Sequence, residues 1–266
     1  MKKIFAYSTV FLLAACSTVS LTGRKRLPLL PASQMQSMSY SQYDQVMKDS
    51  PKSSNSEWTK WVKDAGNKIR VAVEQDKNRR NEAKDLEGYA WEFNLLEEAN
   101  TVNAWCMPGG KVAFYTGIMP ICKDEKGVAV VMGHEIAHAV ARHGAERMSQ
   151  GLAQQAGGIA LALAIKDKPE QTQAIFMGAY GVASQYGALL PFSRLHESEA
   201  DRMGLIYMAM AGYDPREAPK FWERMSANSG GQAPPEFLST HPSHSTRIKN
   251  LEKWMPEALG YYNPNK

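Results

Sequence analysis

The segment His134-Glu135-Ile136-Ala137-His138 restricts the folds open to this 266-residue chain more than any other feature. It lies in a run from Gly127 to Arg147 where Val128, Val131, Ile136, Ala139 and Val140 recur along one apolar side, which predicts a single helix. Residues four apart on a helix share a face one turn apart, so both imidazoles can reach one cation. Glu135, rotated off that axis, then points at a water bound to the metal. The competing reading is a surface helix carrying ordinary polar residues. A catalytic zinc needs a third protein ligand and an open fourth position, so the metal reading requires a suitable side chain on another element.

Ser193-Arg194-Leu195-His196-Glu197-Ser198-Glu199-Ala200-Asp201 offers one, at the start of a helix predicted over Ser193 to Ala211 that continues with Leu205, Ile206 and Met208. Burying Glu197 and Asp201, four apart on one face, costs free energy unless a cation or strong donors neutralise them. The alternative is a solvated acidic first turn favoured by the helix dipole.

The length suits one hydrophobic core. A net charge of +4 with basic residues spread along the chain argues against nucleic acid as a partner. From Ser56, Trp58, Trp61, Val62, Ala65, Ile69, Ala72 and Val73 describe an amphipathic helix. Three strands are expected at Trp91 to Leu96, Thr101 to Cys106 and Val112 to Thr116, the last two forming a hairpin around Pro108-Gly109-Gly110. Residues 151 to 165 and 171 to 189 read as apolar helices packed on the core. A membrane hairpin is the rival there, but Gln154, Gln155, Lys166, Asp167, Lys168 and Glu170 interrupt it. Helices are also expected at Pro215 to Ser226 and Ser243 to Met255.

Residues 1–15 read as a signal peptide, with Lys2 and Lys3 before an apolar stretch from Ile4 to Leu13. Leu13-Ala14-Ala15-Cys16 resembles the lipobox of bacterial lipoproteins, which implies cleavage before Cys16, a lipid on it, and a membrane anchor facing the periplasm. Ser17, where inner-membrane signals carry Asp, favours the outer membrane. Residues 16–55 are expected to be a lipid-anchored tether, and 56–266 the folded domain. Cys106 and Cys122 could form a disulfide or remain two thiols.

His-Glu-x-x-His followed by Glu-x-x-Ala-Asp, with Asn103-Ala104-Trp105 and the Pro-Gly-Gly turn upstream and His241-Pro242-Ser243 downstream, resembles the zinc endopeptidase family of the CAAX prenyl endopeptidase and HtpX type. The resemblance implies an α+β fold: a mainly helical zincin-like metallopeptidase domain with a small antiparallel sheet or hairpin beside the active-site helix. It implies one Zn2+ per chain on His134, His138 and Glu197, Glu135 as general base, and Asp201 orienting a ligand imidazole from behind. Glu199 is then not a ligand. His241 is implied near the metal, donating to the oxyanion or filling the open position in a latent state, and Arg247 matches a family arginine. His143 and His196 read as structural, and His244 has no assignment. Asn103, Ala104 and Trp105, if they form a sheet edge at the cleft, would bind unfolded or extended polypeptide by strand addition. The implied function is an anchored endopeptidase acting on unfolded or misassembled envelope proteins. The alternatives are a zinc-bearing periplasmic chaperone and, against the absence of a Glu-Gly-Cys motif, a deformylase-like hydrolase.

Overall fold

The structure is a computed structural model that describes residues 17–185, 189–228, 241 and 246–264. The expected signal peptide, Cys16 and His244 lie outside the described residues. The chain divides into two compact units, one of residues up to Pro31 with Arg142–His196, the other of Ala32–Ala141 with residues from Glu197 onward.

The second unit begins with α1 (Ala32–Asp49) and α2 (Ser56–Arg79). The α1 helix occupies part of the stretch expected as a tether. It buries Met35, Ser39 and Tyr43, three positions four apart whose apolar content was too sparse to register as periodicity. In α2, Val62, Ala65, Ile69, Ala72 and Val73 of the predicted face are buried and Trp58 and Trp61 are half-buried, with Asn55 Oδ1 accepting from Trp58 N at 3.0 Å as the cap. Strands β3 (Glu92–Leu96), β4 (Ala104–Met107) and β5 (Lys111–Tyr115) form a sheet in the order β3-β5-β4. The expected hairpin joins β4 to β5 in antiparallel register, Ala104 opposite Phe114, through Gly109 and Gly110 at φ 92° and 84°. β3 pairs parallel to β5, so the sheet is mixed, with β4 on one edge and packed against the next long helix.

After the short α3 (Met119–Cys122), Asp124 caps α4 (Glu125–Val140), its Oδ1 accepting from Gly127 N at 2.9 Å. Every residue from Gly127 to Val140 is buried, so the helix that reads as amphipathic is covered on all sides. Nor does it run to Arg147: Arg142 adopts φ 62°, and that left-handed residue ends one helix and starts another. Three further helices follow in this unit or enter it: α7 (Leu190–Met210), α8 (Glu217–Asn228) and α9 (Arg247–Leu259). Cys106 and Cys122 are free thiols.

The first unit carries α5 (His143–Ile165) and α6 (Glu170–Ser184), together with the short antiparallel pair β1 (Ser17–Thr18) and β2 (Lys25–Arg26). Arg24 contacts both oxygens of Glu146 at 3.0 and 2.6 Å, and Leu29 N donates to Ser149 Oγ at 2.8 Å, tying this strand segment to α5. Burial pushes the Glu146 carboxyl up, but His196 and Arg24 beside it outweigh that and hold its pKa at about 2. The expected burial of residues 151–165 and 171–185 is not found, α6 burying none of its residues and α5 only positions near its two ends, while 186–188 lie outside the described residues.

Within the second unit, one glycine pair sets the spacing of the two helices that matter for chemistry. A Cβ on Gly133 of α4 would lie 2.8 Å from Gly204 O, and one on Gly204 of α7 would lie 2.8 Å from His134 N. Both obstacles are backbone, so neither can swing aside, and the helices approach this closely only because both positions lack side chains. Gly204→Ala should therefore push α7 away from His134. Overpacking of this kind costs roughly 1–3 kcal/mol; a lower Tm and weaker zinc binding, measured by thermal unfolding and chelator competition, are expected together.

Candidate metal centre

Four segments of the second unit deliver the polar groups. α4 supplies His134, Glu135 and His138, α7 supplies Glu197 and Asp201, the chain at 241 supplies His241, and the first turn of α9 supplies Arg247; all seven are buried. His134 Nε2 lies 3.1 Å from His138 Nε2 and 3.3 Å from Glu197 Oε2, and His138 Nε2 lies 3.4 Å from Glu197 Oε1. His241 Nδ1 completes the set, 3.1 Å from both His134 Nε2 and Glu197 Oε2.

These separations test whether zinc fits. A tetrahedral ion with ligands at about 2.1 Å holds its donors about 3.4 Å apart; the donors here are separated by 3.1–3.4 Å. His134 Nδ1 lies 2.9 Å from Asp201 Oδ1, which keeps a proton on that nitrogen and turns the Nε2 lone pair toward His138. Two imidazole lone pairs 3.1 Å apart repel unless a cation sits between them. The donor set, two nitrogens and a carboxylate with a third nitrogen at hand, is of the type that zinc takes. Glu199 is outside this group.

The electrostatics agree. Burial alone would lower the pKa of His134, but Asp201 and Glu197 raise it to about 9, whereas burial takes His138 down to about 3 against the pull of Glu197. Burial opposes ionisation of Glu197 and Asp201, yet the histidines around Glu197, and Arg247 and His134 beside Asp201, hold both carboxyls below their usual values. The metal-free cluster thus keeps a proton on His134, and a metal ion competes with that proton for the site. Burial moves the Glu135 carboxyl the other way, upward, and its Oε1 has no hydrogen-bond partner among the described residues.

Arg247 balances the anionic side. Its Nε reaches Asp201 Oδ2 at 2.7 Å, its Nη2 reaches Asp201 Oδ1 at 2.9 Å and Glu197 Oε2 at 3.1 Å, and its Nη1 donates to His241 O at 3.3 Å. A cation in the first turn of a helix opposes the dipole, so these carboxylates, not the helix, hold it there. The guanidinium lies 3.5 Å from the ring centroid of Trp222, whose ring also meets His134 edge-on at 5.9 Å. Trp222, Gly133 and Gly204 were missed by sequence reasoning. The glycines carry a faint signal, each standing inside a helix within three residues of a motif, where glycine costs about 1 kcal/mol relative to alanine.

Asn103 and Ala104 are buried and Trp105 partly so, on or next to the edge strand β4. Trp105 Nε1 donates to Tyr115 OH at 3.2 Å, and Asn103 O accepts from Tyr115 N at 3.1 Å. His143 and His196 belong to the other unit, both buried, with their rings stacked at 4.3 Å. Because Asp201 orients His134 from behind, Asp201→Asn should weaken zinc binding by roughly 10- to 100-fold, as measured by competition with a chromogenic chelator.

Comparison with known proteins matches this arrangement to a family. The profile of peptidase family M48 matches residues 68–255. The chain is 44% identical to the mitochondrial metalloendopeptidase OMA1 of Schizosaccharomyces pombe over 63% of its own length and 48% of that protein. It is 30% identical to the mitochondrial metalloendopeptidase OMA1 of Homo sapiens over 94% of its length and 48% of the relative. With the beta-barrel assembly-enhancing protease of Escherichia coli it shares 30% identity over 58% of its length and 32% of the relative. The chain thus spans about half of these relatives or less. Peptidases of the matched family use zinc. Profile, motifs and the buried two-histidine, one-carboxylate set agree: the chain belongs to peptidase family M48.

Proposed function

We propose that this chain is a zinc-dependent endopeptidase, lipid-anchored through Cys16 on the periplasmic side of a bacterial membrane, more specifically the outer one, that hydrolyses unfolded or misassembled envelope proteins. The observation that carries the catalytic part is the convergence of His134, His138 and Glu197 within 3.4 Å of one another beside a buried carboxylate, Glu135, whose Oε1 has no hydrogen bond among the described residues.

Zinc, held by those three side chains, supplies a Lewis acid for the scissile carbonyl and makes water more acidic. Glu135 takes the proton from the attacking water and returns it to the leaving amine; its upward-shifted carboxyl suits a group that must both accept and release a proton. Asp201 holds His134 in the tautomer that presents Nε2, and Arg247 holds Asp201 and Glu197. Substrate is held extended along β4, whose outer edge supplies backbone groups for strand addition with little regard to side-chain identity. Neighbourhood to α4 supports this placement of Asn103, Ala104 and Trp105.

His241 supports a latent resting state. Its Nδ1 takes the fourth corner of the donor set, and its Nε2 lies 3.5 Å from Glu135 Oε1. The side chain thus stands where water and the scissile carbonyl must enter, and departure of His241 opens the site.

The substrate class rests on likeness. The Escherichia coli relative is named for enhancing β-barrel assembly, and the OMA1 relatives are named as mitochondrial endopeptidases. The lipobox-like Leu13 to Cys16 supports a bacterial envelope as the location. A purely binding, chaperone-like protein would have no use for Glu135.

Glu135→Gln should keep zinc and reduce casein cleavage by roughly 10²- to 10⁴-fold, the usual share of general acid-base catalysis; undiminished turnover ends the general-base role. His241→Ala should raise casein cleavage several-fold by clearing the fourth corner. A fall in rate of similar size would instead assign His241 to the oxyanion.

A further inference from the structure

The α5–α6 hairpin is built inside out for water. Between Gly151 and Ser193 the charged residues are Lys166, Asp167, Lys168 and Glu170, all at the turn between the helices. Large apolar side chains face solvent: Ile175 is 70% exposed, Leu163 65%, Val182 60%, Ile159 58% and Phe176 52%. Gln154, Tyr180 and Ser184 face one another across the helices, while Gln155 and Gln185 are exposed. Gln154 Nε2 donates to Ser184 Oγ at 2.7 Å, and Tyr180 OH donates to Gln154 O at 2.7 Å across the two helices. At the turn, Gln173 Nε2 donates to the carbonyls of Lys166 and Lys168 at 3.1 and 2.9 Å. A hairpin in water buries its apolar residues between its helices; one in hydrocarbon must satisfy its polar groups internally and can leave apolar ones outside.

We propose that this hairpin is a second membrane-contacting element, seated in one leaflet of a phospholipid bilayer. Two observations select a bilayer over a protein partner. The uncharged part of α5, Gly151 to Ile165, is about 22 Å long, short of the roughly 30 Å hydrocarbon core, and among the described residues no helix is long and apolar enough to cross a membrane. The hairpin therefore enters a leaflet and does not span. Second, Ser17, the neighbour of Cys16, opens the β1–β2 pair of this same unit, which Arg24–Glu146 and Leu29–Ser149 tie to α5. A lipid on Cys16 holds this unit, and with it the hairpin, at the membrane surface. The choice of a bilayer as occupant rests in part on the proposed anchor.

The test places a tryptophan on the hairpin. The full chain carrying Phe176→Trp is reconstituted in phosphatidylcholine/phosphatidylglycerol vesicles with and without brominated phosphatidylcholine, and its fluorescence is compared with that of the parent. Val71→Trp, on an exposed position of α2 in the other unit, serves as the control. The added signal at 176 should fall at least twofold with brominated lipid while that at 71 stays unchanged, and Ile159→Lys/Ile175→Lys in the Phe176→Trp background should abolish the quenching. An unquenched Trp at 176 overturns the proposal. It does so equally if the chain sediments as a dimer that the lysine pair makes monomeric, because the hairpin is then a self-association face. Mass spectrometry of Cys16 in the same preparation reads the anchor separately. Lipidated Cys16 with an unquenched 176 removes the hairpin inference alone, and quenching at 176 with an unmodified Cys16 supports the hairpin while removing the anchor.

Discussion

The cost of burying charge organises the larger unit. A helix covered on every side carries two imidazoles and a carboxylate through its middle, and none of these groups can be solvated where it stands. The two imidazoles and the ions that meet them are compensated by partners from other parts of the chain: Asp201 behind His134, Glu197 in front of both histidines, Arg247 across Asp201 and Glu197, and Trp222 under the guanidinium. Removal of any one member leaves another buried and uncompensated, so the cluster works as a unit. One corner stays weakly compensated: among the described residues Glu135 Oε1 has no hydrogen bond and meets only His241 Nε2, at 3.5 Å.

Such a cluster requires the two motif helices to meet closely. The meeting of Gly133 with Gly204 brings α7 against the backbone at His134, so the spacing of the metal ligands follows from two absent side chains. β4, an edge strand, packs beside the same helix α4. The other unit obeys different physics. Its strand pair is fixed to α5 by a two-pronged ion pair, while the distal parts of α5 and α6 gain nothing from burial and keep their polar contacts to themselves.

Much of the fold was legible because its signals are local. The α2 face, the β4–β5 hairpin with its two glycines, and the helices α7 to α9 follow from periodicity, caps and turn residues. Reading failed where a local pattern was weak or had a non-local meaning. The α1 helix carries too few apolar residues to stand out, although Tyr43 is among the most buried side chains. The predicted helix through Arg147 stops because one residue turns left-handed, which no hydrophobic pattern records. The apolar runs after Gly151 read as core because hydrophobicity announces burial without saying in what.

What the sequence alone determined is the chemistry: which side chains can bind a metal, which carboxylate stands one residue beyond a ligand, and that the two motifs lie on helices. Those properties belong to residue type and to spacing within a turn or two, and both survive without knowledge of the fold. Tertiary structure decided where His241 stands, its Nδ1 3.1 Å from both His134 Nε2 and Glu197 Oε2, and it alone decided that Arg247 rests on Trp222 while bridging Asp201 and Glu197, and that α6 leaves its apolar side chains uncovered. These depend on distances between residues tens of positions apart, which are set by how closely helices pack, and a linear pattern carries no such information.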